Sequence, residues 1–253
     1  MTAAVAGPSP TVPMARINPV AQLIAIGVVT VVLLAAVDPV TPAVVVAAEL
    51  CLLPAAGLHR PAALARRAWP LLTAAASVGL VNVALSGTTT PMAGLGLALR
   101  VLGLAVPGLL FVASTDPVRL ADALTLHWRV PTRFAYGALA ALRLAPLLAA
   151  EFESIRLARR TRGIEAGRNP VAAARLLAGA AFALLVAGVR RGSRLATAMD
   201  ARGFDSGIAR SNARGSVWHG RDTAAVAATL AVCGSAVVLS VATGNWAPVF
   251  AGG

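Results

Sequence analysis

The sequence predicts an all-α polytopic membrane protein with about five transmembrane helices and two long cytoplasmic helices between the fourth and last spans. Three observations carry this prediction. The composition is 58% hydrophobic and 13% charged, with mean hydropathy +0.77, outside the usual soluble mixture. Apolar stretches at residues 20–37, 42–58, 68–85, 95–113 and 223–243 approach the roughly 20 residues needed to cross a bilayer. The 22 basic residues, all arginine, outnumber 10 acidic ones and collect between the would-be spans and in one long region after the fourth.

Taken in order, residues 1–15 read as a flexible tail with no charged segment before a short apolar core, so the first span is retained rather than cleaved. Residues 16–115 form a four-span portion. Arg16 precedes the first span and Asp38 follows it; His59, Arg60, Arg66 and Arg67 fill the connection after the second. The third span leads to uncharged Ser86-Gly87-Thr88-Thr89-Thr90-Pro91, the fourth to Ser114-Thr115-Asp116-Pro117 and then Arg119. Arginine accumulates on the cytoplasmic side, which places the N-terminus and residues 116–221 in the cytoplasm. A last span at 222–243 then leaves a short tail, 244–253, outside. Pro39, Pro42, Pro91 and Pro107 mark turns or kinks around these spans.

Two charges fall within spans. A lone ionised group facing lipid is costly, so Glu49 is expected to face protein or water, with an intramembrane assembly role favoured over ion coupling. Arg100 can snorkel toward the surface. Gly94, Gly96 and Gly103 offer small faces for close helix approach, whether as ordinary packing or against a partner. Cys51 and Cys233 read as small buried hydrophobes. The net charge of +12 is better matched to anionic lipid than to nucleic acid, because the arginines are interleaved with spans.

Between the fourth and last spans, residues 131–162 and 170–202 read as two long helices, each about 45 Å at 1.5 Å per residue, with Pro146 a kink point in the first. Both end at an Arg-Gly step. Gly163 and Gly203 can supply the left-handed residue that stops a helix, while Arg162 and Arg202 place positive charge beside its carbonyl end. Residues 171–189 are apolar and nearly long enough to span, but crossing would place Arg190, Arg191, Arg194, Arg202, Arg210 and Arg214 outside, against the charge bias. The reading favours a helix lying along or beneath the membrane.

At this point the chain resembles the transmembrane coupling (T) component of energy-coupling factor (ECF) transporters, the CbiQ/EcfT-like family, over residues 15–243. Ala198-Met199-Asp200-Ala201-Arg202-Gly203-Phe204 looks like the family's second Ala-Arg-Gly signature and Leu157-Ala158-Arg159-Arg160-Thr161-Arg162-Gly163 resembles the first. Arg16-Ile17-Asn18-Pro19, and Ser114-Thr115-Asp116-Pro117 with Leu120 and Leu124, add support. Thr161 departs from the family's usual alanine, yet threonine can still cap or pack locally.

The resemblance implies that Arg162, Gly163, Ala201, Arg202 and Gly203 form the docking points for two ABC-type ATPase subunits, with Arg159, Arg160, Met199 and Asp200 supporting the coupling helices. It further implies a membrane-embedded substrate-binding S component, ATP and Mg on the partner ATPases with no cofactor on this chain, and a bacterial or archaeal cell membrane. Vitamin or cobalt uptake is the family-level expectation. Ala213-Arg214-Gly215 repeats the string but reads as part of a basic loop.

Other classes fit less well. No Gly-rich loop ends in Gly-Lys-Ser or Gly-Lys-Thr, and the chain has no lysine. His59, His127 and His219 lack HExxH spacing and read as lone loop histidines, which argues against an integral-membrane enzyme. A conventional ABC permease would be expected to carry a polar path within its spans. A standalone membrane scaffold remains the further alternative.

Overall fold

Proline punctuates this chain and sets where its helices begin. The computed structural model describes residues 12–58, 61–86, 90–167, 169–203 and 215–246, with backbone alone for 61–67 and for Ser86. The helices are α1 (Pro19–Ala35), α2 (Val40–Leu52), α3 (Pro61–Ser86), α4 (Pro91–Ser114), α5 (Pro117–His127), α6 (Thr132–Thr161), α7 (Pro170–Asp200) and α8 (Gly220–Ala242). Pro19, Pro61, Pro91, Pro117 and Pro170 each open one, where a missing N–H costs nothing and φ is already helical. Asn18, Thr90 and Asn169 cap α1, α4 and α7 by accepting backbone N–H bonds.

The expected features at His59, Arg60, Gly87, Thr88, Thr89, Phe204, Arg210 and Arg214, most of the N-terminal tail, and the last residues of the C-terminal tail lie outside the described residues, as do the side chains of Arg66 and Arg67. One correction falls at the tail's end. Pro13–Arg16 form a 3-10 turn with Ala15 buried, because Gln22 of α1 donates to the Met14 carbonyl at 3.0 Å and Arg119 of α5 donates to that of Ala15.

The chain forms two compact units, Met1–His127 with Ser216–Gly253, and Trp128–Gly215. In the first, α4 packs on α3, α2 and α1, while α8 packs on α1 and α2. Its core joins Val29 and Leu33 of α1, Val45 of α2, and Cys233 and Ala236 of α8. By length and composition, Ala68–Leu85 of α3, α4 and α8 are apolar enough to cross a membrane, and α1 and α2 are shorter apolar helices. The apolar stretch at 42–58 is not one helix: α2 stops at Leu52, a 3-10 turn covers Pro54–Ala56, and Gly57 turns the chain at φ +78°.

The glycines of α4 are spent inside this bundle. A Cβ on Gly94 would lie 2.3 Å from Val83 Cγ2 of α3, one on Gly96 would lie 3.0 Å from Pro39, and one on Gly103 would lie 2.9 Å from Leu33 Cδ1. They are packing positions between helices of the unit, not a face left for a partner. Cys233 is buried as expected, but Cys51 is exposed on α2, which corrects its reading. Arg100 donates to the Leu34 carbonyl at 2.8 Å, using the unpaired carbonyl end of α1.

The second unit is an antiparallel pair, α6 and α7. Arg159 Nη1 donates to the Leu176 carbonyl at 2.6 Å, Leu148 packs over Gly188, and Arg191 meets Glu151 at 3.1 Å. Pro146 sits within an unbroken α6. The basic region predicted from residue 116 therefore divides, since α5 packs on α1 and belongs to the first unit.

Candidate functional site

The two Arg-Gly junctions fold alike. At the end of α6, Gly163 adopts φ +71°, its N–H donates to the Arg160 carbonyl at 2.9 Å, and the Ile164 N–H donates to that of Arg159 at 3.0 Å. This paired pattern satisfies carbonyls that the helix end leaves open, and it requires a residue free of Cβ strain at position 163. At the end of α7, Gly203 adopts φ +72° and its N–H donates to the Asp200 carbonyl at 2.8 Å, while Arg202 N–H donates to that of Met199 at 3.0 Å. Ala201 caps the helix through a bond to Thr197.

Each arginine thus stands one residue before a left-handed glycine, on the last turn of a helix about 45 Å long. Arg162 and Arg202 are exposed, and among the described residues neither side chain has a hydrogen bond or ion pair. Their neighbours differ. Arg159 is turned inward as a strap to α7, its guanidinium lying over Gly179, and Arg160 approaches Glu165 at 3.9 Å. Thr161 directs its hydroxyl to the Ala158 carbonyl at 3.0 Å, so the departure from alanine is absorbed locally. Met199 is half-buried and Asp200 exposed.

Beside the first junction, Phe152, Arg156, Ile164, Leu176 and Leu177 help line a cavity of about 540 Å³ at the α6–α7 turn. It offers apolar walls and guanidinium groups together. Glu49 lies elsewhere, buried on α2, and is unrelated to these tips.

Sequence reasoning missed a polar node in the first unit. Asp222 at the start of α8 is fully buried; its Oδ1 accepts the Asn18 N–H and its Oδ2 that of His219, both at 2.7 Å. Asn18 Nδ2 donates to Ser216 Oγ at 2.9 Å and lies 3.1 Å from His127 Nε2. Trp218 stands edge-on to the His127 ring. His127 and His219 are therefore structural members of the node and not lone loop residues. Because His127 and Ser216 bound the inserted unit, Asn18 ties together the points where the chain leaves and rejoins the bundle. The capping pattern of Asn18-Pro19 was visible in sequence; its distant partners were not.

Among the described residues there is no group of three or more His, Cys, Asp or Glu side chains able to hold a metal ion. Apolar helices carrying an inserted pair with arginine-capped ends define a polytopic, all-α membrane protein of the transport class. The family model for the cobalt transport protein CbiQ matches residues 11–212, and the chain belongs to this family of transmembrane coupling proteins.

Three curated relatives are energy-coupling factor transporter transmembrane proteins EcfT. That of Exiguobacterium sibiricum is 35% identical over 45% of this chain and 46% of its own length. Those of Staphylococcus aureus and Bacillus subtilis are 29% and 28% identical, over 51% of this chain and 52% of the relative, and over 53% of each, respectively. The chain spans about half the length of the curated relatives it matches.

Proposed function

We propose that this chain is the transmembrane coupling subunit of an ECF-type ABC importer, a non-catalytic lever between two cytoplasmic ATPases and a membrane-embedded S component for vitamin or metal-ion uptake. The observation that carries this reading is the matched pair of helix ends. Arg162 and Arg202 are exposed and, among the described residues, unengaged at glycine-terminated tips, whereas Arg159 and Arg160 are occupied within the α6–α7 pair. An arginine fork can grip a partner carboxylate or a helix-end carbonyl bidentately, and its position on a stiff helix converts movement of the partner into movement of the helix.

On this reading the N-terminus and α6–α7 are cytoplasmic and the C-terminus is outside. The apolar side chains Phe182, Leu185, Val186 and Val189 of α7 are exposed, and α7 is also long and apolar enough to cross a membrane. The arginines beyond them, Arg190, Arg191 and Arg194, favour a helix lying against the cytoplasmic face, its apolar side toward lipid or the S component.

Mild-detergent affinity purification of the tagged native chain, with mass spectrometry of what accompanies it, tests the assembly. Two ABC ATPases and a small membrane protein are expected. An intact, active preparation lacking ATPases would contradict the reading.

A further inference from the structure

The first unit holds a partly open cavity of about 360 Å³, lined mainly by α1, α2, α4 and α8. Ile26, Val29, Val45, Leu110 and Val232 contribute apolar walls. Glu49 lines it with only 5% of its surface exposed, and neither carboxyl oxygen has a hydrogen-bond partner among the described residues. A buried carboxyl with both oxygens left this way is costly, more so than the single open atoms Asp38 Oδ1 and Thr41 Oγ1 of the same unit.

Gln22 and Thr229 of the lining already make hydrogen bonds. Gln22 donates to the Met14 carbonyl and accepts from Ser114 and Thr115 at 3.1 and 3.0 Å, and the Thr229 hydroxyl donates to the Ala225 carbonyl at 3.0 Å. Cys233 offers only a weakly polar thiol. Glu49 supplies the open carboxyl acceptors here, with the Thr229 hydroxyl oxygen as the further acceptor in the lining. The volume is within the range of small-ligand sites. A single side chain inserted by a partner would leave most of it empty.

We propose that this cavity is a binding site for a compact hydrophobic amine, its hydrocarbon body filling the space between the four helices and its ammonium group meeting both Glu49 oxygens. An ammonium carries three donors and matches two open acceptors, whereas a hydroxyl carries one. A carboxylate head of the same shape would be repelled.

The test uses the full chain in lipid nanodiscs, titrated with 1-adamantylamine and, separately, with 1-adamantanecarboxylate, against empty nanodiscs. One saturable amine site per chain is expected, with no matching site for the carboxylate. Glu49→Gln, close to isosteric, should weaken amine binding about tenfold or more, and Ala25→Leu, which adds bulk to the wall, should weaken it as well. Equal amine affinity in the native chain and Glu49→Gln, equal binding of the carboxylate, or uptake no greater than by empty nanodiscs would overturn the proposal.

Discussion

In the first unit Asp222 is fully buried and both its oxygens accept backbone N–H groups; in the second, the arginines that end α6 and α7 are exposed and, among the described residues, without side-chain partners. Apolar exposure does not divide the units in this way: Leu33 and Val45 are sealed between helices, but Leu80, Leu85 and Val112 of the first unit stand open, as do Phe182 and Leu185 of α7. The first unit satisfies the Asp222 node from within, while Glu49 of the same bundle is left without a partner among the described residues. The helix pair leaves both arginine forks uncovered among the described residues, the feature on which the proposed docking rests.

The contrast can be broken at its strongest point. Asp222→Ala strands the Asn18 and His219 N–H groups in a buried site and should destabilise the first unit by about 3 kcal/mol, the upper end for a charge-assisted pair. Thermal unfolding in detergent would register it; an unchanged midpoint would mean the node carries no load. Next in size is Gly79→Ala, whose Cβ would lie 2.7 Å from the Gly94 carbonyl oxygen, a backbone atom that can move only with α4. About 2 kcal/mol of destabilisation is expected from this overpacking.

Substitutions in the hairpin should matter less to folding. Gly163→Ala meets no neighbour but forces a Cβ into φ +71°, for about 1 kcal/mol and a frayed end of α6, visible as faster hydrogen exchange at residues 160–164. The smallest effect has the opposite sign. Gly137 lies inside α6 with open space around it, so Gly137→Ala should stabilise the helix by about 0.5 kcal/mol, read as a slight rise in helical melting temperature.

How legible these regions were in sequence follows from the range of their interactions. The ends of α6 and α7 were readable because Pro131, Pro170, Gly163 and Gly203 act on their own backbone. The apolar spans were readable by length, yet 42–58 ran through the break at Leu53, since hydropathy does not register a 3-10 turn. Short α5 is amphipathic, but its place in the first unit was hidden because its packing on α1 is a contact between distant parts of the chain. The node at Asn18 was hidden because its partners, His127, Ser216 and Asp222, lie far along the chain. Glu49 stood out as a charge in a span, whereas its cavity depends on four helices meeting.

Docking by the arginine tips is tested most directly by Arg162→Glu combined with Arg202→Glu, measuring ATPase co-purification and thermal stability on the same preparation. Both residues are exposed and free of side-chain partners among the described residues, so the fold should keep its melting temperature while ATPase association is lost through charge reversal. Retained association in the stable double variant would contradict docking through these arginines.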